Sequence, residues 1–181
     1  MWPGDQGQKN GDYQIKFLAD RIVFAPFWYS QKMLSESHQP NVVGGYHQLC
    51  STAATTTDEP VVRSGTGQAP MQMVTQTSSE CFTDWMAAVS DDGNTLVIRT
   101  ENPNNVSVAF TASIAGCFHG HNCWAPTASV VTLAGPSLDA MNDYDTPTAV
   151  VPKNSSVELE LNLLSTQLPP FSFVVFTLTK A

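Results

Sequence analysis

The chain has 181 residues, with 8 Lys and Arg against 16 Asp and Glu, for a formal net charge of −8. At 42% hydrophobic and 13% charged residues it carries enough apolar material to offset the conformational entropy of one folded domain, which excludes a globally disordered chain. Scattered cations make no phosphate-binding patch, excluding nucleic acid as a partner, and no apolar run of about 18 residues exists to span a membrane.

Met1 to Gly7 lack the basic start and apolar stretch of a secretory signal, and the expectation is that a signal has been removed or that the polypeptide begins further upstream. From Pro26 to Ser37 the spacing predicts a short helix, with Trp28, Tyr29, Lys32, Met33 and Ser35 on one side and Phe27, Gln31 and Leu34 on a neighbouring stripe. Glu36 to Ser79 is polar and rich in Gly, Ser and Thr. It reads as loop with weak edge strands at Val42-Val43, Val61-Val62 and Met71 to Thr75.

Beyond Cys81 the pattern sharpens. Trp85 to Ser90, the turn Asp91-Asp92-Gly93-Asn94 and Thr95 to Glu101 make a β-hairpin. Asn102-Pro103-Asn104-Asn105 turns the chain, and Val106 to Ile114 alternates apolar and polar residues as a half-buried strand does. Further strands are predicted at Ser129 to Ala134, Val157 to Leu163 and Phe171 to Leu178. The last is apolar on both sides and reads as a central strand covered on two faces. Many short strands separated by Gly, Pro, Asn and Asp turns predict an all-β fold, an antiparallel β-sandwich of jelly-roll type preceded by a short helical or irregular N-terminal segment.

Four cysteines, Cys50, Cys81, Cys117 and Cys123, in a chain of low charge suit an oxidising compartment. Three pairings are possible. The short spacing beside Gly116 and Gly120 favours Cys117 with Cys123, leaving Cys50 with Cys81 around a larger loop that would stabilise the fold by roughly 3–4 kcal/mol. Sequons at Asn105-Val106-Ser107 and Asn154-Ser155-Ser156 make Asn105 and Asn154 candidate glycosylation sites. The expected location is therefore secreted or extracellular, a lysosome-like compartment or the cell wall included.

Cys117, His119, His121 and Cys123 are ligand types at every second residue, but four ligands on one straight strand cannot wrap a tetrahedral Zn²⁺, and a disulfide-closed loop is the better reading. Asp139, Asn142, Asp143 and Asp145 lack the spacing and central Gly of a Ca²⁺ loop and read as a solvated acidic turn. No cofactor or metal is therefore expected. Trp28 and Trp85 lie in apolar strings and read as core. Trp2 and Trp124 are the candidates for a sugar-stacking ring.

Leu133 to Pro136, Asn142, Pro147-Thr148-Ala149-Val150-Val151-Pro152 and Leu168-Pro169-Pro170-Phe171-Ser172-Phe173-Val174-Val175-Phe176 occur in an order that resembles the C-terminal domain of the α-L-arabinofuranosidases of glycoside hydrolase family 51. Leu96 to Pro103 is similar to that family's strand followed by Asn-Pro. Ile15 to Phe17, Pro26 to Tyr29 and Gln31 to Ser35 resemble the stretch that leaves the catalytic barrel and enters the sandwich. The resemblance implies an N-terminal segment over 1–35, a β-sandwich domain over 36–181, and a (β/α)8 catalytic barrel as partner, in cis or in a longer parent chain. It also implies a family activity, hydrolysis of terminal non-reducing α-L-arabinofuranosyl residues in L-arabinose metabolism, with arabinose-containing polysaccharide as substrate.

A barrel needs roughly 250 residues, and retaining hydrolysis needs two carboxyls about 5 Å apart. Glu36, Glu59, Glu80, Glu101, Glu158 and Glu160 offer no Asn-Glu setting like that of the family's acid/base. Glu158 and Glu160 share one strand face and read as solvated positions. No catalytic residue is carried over, and the implied role is the sandwich portion of an arabinofuranosidase-like enzyme. The alternative is a non-catalytic module that binds carbohydrate or protein. An apolar docking patch is expected at Ile22, Val23, Phe24, Phe27 and Trp28.

Overall fold

Period-two alternation of apolar and polar residues builds the strands, and the one stretch of helical periodicity builds the one helix among the described residues. The computed structural model describes residues 15–17, 21–48, 71–74, 84–114 and 124–181. In chain order these form β1 (Ile15–Phe17), β2 (Ile22–Phe24), α1 (Pro26–Glu36), β3 (Asn41–Val43), β4 (Gly45–Gln48) and β5 (Met71–Val74). There follow β6 (Asp84–Val89), β7 (Thr95–Asn102), β8 (Val108–Ser113), β9 (Thr127–Ala134), β10 (Lys153–Glu160), β11 (Leu163–Leu168) and β12 (Ser172–Thr179).

Strands β3-β6-β7-β12-β9-β10 run side by side as one layer and β11-β8-β5-β4 as the other, while β1 and β2 pair separately. The two layers join where Leu159 and Glu160 of β10 pair with Leu164 and Leu163 of β11. The fold is an all-β sandwich with one helix on its outer face. Among the described residues its pairing is antiparallel as expected, with one exception, the parallel pair β4–β5.

The main core lies between the layers. Phe110 of β8 stacks on Phe176 of β12 with centroids 5.6 Å apart and rings nearly parallel, surrounded by Ile98, Leu164, Leu168 and Leu178. A second cluster lies on the other face of the larger layer, where Met33 of α1 packs with Val97, Leu133, Val150 and Val175. β12 pairs with both β7 and β9 and buries Val174, Phe176 and Leu178 in the first core and Val175 in the second. This is the two-faced central strand that its sequence predicts. Each fully buried large aliphatic or aromatic side chain contributes about 1.5–3 kcal/mol by leaving water.

The predicted strand Val157 to Leu163 differs from the structure. Leu161 and Asn162 have φ of 51° and 63°, so the chain reverses there and splits the stretch into β10 and β11. Positive φ at both central residues is a two-residue hairpin turn of the type that suits strand twist. Leu161, being apolar, conceals it in the sequence. Val61-Val62 lies outside the described residues.

Candidate functional site

The outer face carrying α1 is assembled from the N-terminal segment upward. Pro26 sits in the first turn of α1, where its missing amide costs nothing, and no side chain caps this end. The helix is instead fastened by tertiary contacts. Phe24 stacks on Trp28 at 4.1 Å, Tyr29 meets Trp28 edge-on at 5.1 Å, and the Lys32 ammonium lies 5.7 Å from the Trp28 ring. Met33 is buried, while Phe27, Gln31 and Leu34 face out, as do Lys32 and Ser35 of the other stripe.

The other end of α1 has no basic residue of its own in the last turn, and Arg99 of β7 supplies one. Its guanidinium donates to the Ser37 Oγ at 2.9 Å, to the Leu34 carbonyl at 3.4 Å and to the Ser37 carbonyl. The Ser37 hydroxyl in turn donates to the Met33 carbonyl at 2.6 Å. A cation at the helix carboxyl end satisfies orphan carbonyls and opposes the helix dipole. Partial burial pulls the Arg99 pKa below its ordinary value, but an arginine remains cationic throughout the physiological range.

Two buried asparagines hold the loops beneath this face. Asn142 Nδ2 donates to the carbonyls of Phe24 and Val150, both at 2.8 Å, and its Oδ1 accepts from the Val150 amide at 2.7 Å. It thereby ties the end of β2 to the segment after β9. Asn102, fully buried, donates to the carbonyls of Val106, Leu168 and Pro169 at 2.9, 3.2 and 2.8 Å. Its Oδ1 accepts from the Asn104 amide and side chain.

Between these anchors lies a cleft of about 340 Å³, lined by Phe27, Ser30, Glu101, Leu138, Phe171 and Phe173 among others. Phe171 holds φ at 47°, a conformation that bulky residues avoid, and its amide donates to the Asn104 carbonyl at 3.0 Å. Phe27 and Leu138 remain 56% and 72% exposed, and Ile22 of β2 52%. The expected apolar patch is thus narrower than its sequence suggests. Val23 is buried at 1% exposure and Phe24 and Trp28 are half-buried in their own stack, whereas Leu138, which carries no signal in a Gly-Pro-Ser loop, joins Phe27 at the cleft.

The remaining candidates are dispersed. Trp124, expected as an exposed ring, packs into the main core at 9% exposure and bridges to Lys180, so a sugar finds no open face there. Trp85 is half-buried against the same core, in keeping with its apolar string. Trp2, Cys50, Cys81, Cys117, Cys123, His119, His121, Glu59 and Glu80 lie outside the described residues. Asn105 and Asn154 are exposed. The acidic loop is a side-chain-capped turn: the Asp143 Oδ1 accepts from the Asp145 and Thr146 amides and the Thr146 hydroxyl. Asn142 is committed to backbone instead of cation binding, and Asp139 and Asp145 are exposed.

Glu158 and Glu160 flank buried Leu159 on the outer side of β10. Glu101 is the carboxylate in the cleft lining among the described residues, one where acid/base hydrolysis needs two. Among the described residues no three His, Cys, Asp or Glu side chains group as metal ligands, and no helix is long and apolar enough to cross a membrane.

No protein-family model and no curated protein sequence matches the chain. Solved structures do. An arabinose-bound α-L-arabinofuranosidase, MgGH51, matches with a TM-score of 0.64 and 16% identity over 96% of this chain and 22% of its own. The α-L-arabinofuranosidase of Thermotoga maritima, in complex with arabinose, matches with a TM-score of 0.63 and 16% identity over 93% of this chain and 31% of its own. The family 51 enzyme of Thermotoga petrophila RKU-1 gives 0.61 and 17% over 90% of this chain and 31% of its own. The chain spans less than a third of the length of each, a coverage that fits a C-terminal domain, and over nearly all its length it has the fold of that part of the family 51 arabinofuranosidases.

Proposed function

We propose that this chain is the C-terminal β-sandwich portion of an α-L-arabinofuranosidase-like glycoside hydrolase, and that the face bearing α1, Phe27 and Leu138 docks against a catalytic (β/α)8 barrel. The supporting observation is the coverage: at least nine-tenths of the chain superposes on less than a third of each arabinofuranosidase. In this reading the two glutamates of hydrolysis reside in the barrel, and the sandwich contributes support. Its substrate class is the terminal α-L-arabinofuranosyl unit of a plant-type polysaccharide, and the enzyme acts outside the cell.

The test is to produce this chain alone and joined to the polypeptide that its gene encodes upstream, and to assay both on an aryl α-L-arabinofuranoside. Release of arabinose by the longer protein and not by the 181-residue chain is expected. Hydrolysis by the short chain, or an upstream frame that encodes no barrel, overturns the proposal.

A further inference from the structure

β10 carries an acceptor motif on an edge that no described strand covers. Residues 153–158 pair on one side with 127–132 of β9, whereas pairing with β11 involves only Leu159 and Glu160, beside the tight turn. Past that point β10 continues in one layer and β11 in the other, so among the described residues the second side of 153–158 has no strand against it. The gap between the splayed strands is a cleft of about 570 Å³ lined by Ser156, Val157, Glu158, Glu160, Leu163 and Ser165, which keeps this edge within reach of solvent. An open strand of this length is a template for pairing with another chain. The opposite end of the layer is β3, only three residues long.

Natural sheets protect such edges with charge, proline or a covering group. β10 carries charge at both ends of this edge, Lys153 and the exposed Glu158, but between them Asn154, Ser155 and Ser156 are uncharged and exposed. These same three residues form an Asn-Ser-Ser sequon. Asn154 stands opposite Val131 on the outer face, and Ser156 opposite Ser129 on that face, so the acceptor amide and its recognition hydroxyl share one accessible side of the strand.

We propose that Asn154 is an N-glycosylation site and that its glycan shields the open edge of β10 from self-association. In the transfer the Asn154 side-chain nitrogen forms a bond to C1 of the reducing-end sugar of a lipid-pyrophosphate-linked oligosaccharide. The C1–O bond to the pyrophosphate breaks, its electron pair leaves with the lipid pyrophosphate, and the amide nitrogen releases one proton. The other sequon, at Asn105, lies in the bend after Pro103 and not on β10, so its loss leaves the edge strand as it was.

The test secretes the chain from a eukaryotic host and removes glycans with a peptide amidase in ¹⁸O-water, which converts a glycosylated asparagine into an ¹⁸O-labelled aspartate that mass spectrometry detects. The label is expected at position 154. Asn154→Gln and Ser156→Ala, the second keeping the asparagine while removing the motif, are each expected to raise the dimer and oligomer fraction several-fold in sedimentation at equal concentration. Asn105→Gln leaves that fraction unchanged. An unlabelled Asn154, or a labelled one whose loss changes association no more than Asn105→Gln does, overturns the proposal.

Discussion

Asn102 shows how much of this fold rests on single polar side chains. Its amide reaches three carbonyls from two separate segments, and its oxygen holds Asn104 in the turn that follows Pro103. Asn102→Ala strands carbonyls in a dry site, where each lost partner costs the desolvation already incurred. The expected loss is about 3 kcal/mol, roughly 6–12 °C in melting temperature for a domain of this size. A calorimetric shift below about 2 °C would show that the carbonyls find other partners. Asp92 is the opposite case, a fully exposed carboxylate tuned by local donors. The Ser90 hydroxyl at 2.5 Å is the main cause, with the Asn94 amide at 3.0 Å and its side chain, and together they hold its pKa below the ordinary 3.8. A carboxyl whose folded pKa lies below its unfolded one stabilises the fold above 3.8, and that contribution is lost as the pH falls through the folded value. Between about pH 5 and 3 the urea midpoint of Asp92→Asn should fall less steeply than that of the parent; equal slopes would remove Asp92 from the acid response.

At the scale of elements, the hairpin β10–β11 is the clearest place to improve the molecule. Leu161 is 85% exposed and holds φ at 51°, so its side chain loses little by removal while its backbone bears the left-handed penalty. Leu161→Asn, a residue that tolerates this conformation, should stabilise by about 0.5–1 kcal/mol and raise the melting temperature by a few degrees. A lower melting temperature would mean that the leucine makes a contact worth more than the strain. The same turn marks where reading the elements from sequence stopped. The elements at Val108–Ser113, Ser172–Thr179 and Pro26–Glu36 were plain because burial alternates along the first, apolar residues fill both faces of the second, and the third has helical spacing around Met33. Turns announced by Gly93 or Pro103 were equally plain. Leu161 carries no turn chemistry, so an apolar run hid a reversal, and with it β11. Gly135 illustrates the complementary limit: a Cβ there would lie 2.9 Å from that of Ala140, a packing reason invisible until β9 and its following loop are placed.

For the molecule as a whole, the candidate site was partly legible. The resemblance of ordered motifs pointed to the arabinofuranosidase sandwich, and the N-terminal aromatics pointed to its outer face. The asparagines and Arg99 did not declare themselves, because hydrogen bonds between segments far apart in the chain, such as Asn102 to Leu168 and Arg99 to Ser37, leave no local pattern. They fasten α1 and the cleft lining to the sheet while Phe27, Ile22 and Leu138 stay in water, an arrangement that costs solvation unless another surface covers them. On the proposed docking this cost is recovered only in the longer protein. The isolated chain should therefore bind a hydrophobic dye such as ANS, and Phe27→Asp with Leu138→Asp should lower that fluorescence severalfold while shifting its melting temperature by less than about 2 °C, since both side chains are surface positions. In the longer protein the parent sequence should bind little dye, and the same pair of substitutions should lower thermal stability because two charges would be forced into an apolar interface. An isolated chain that is monomeric and silent toward the dye would remove the docking face, whatever the fold it shares with the arabinofuranosidases.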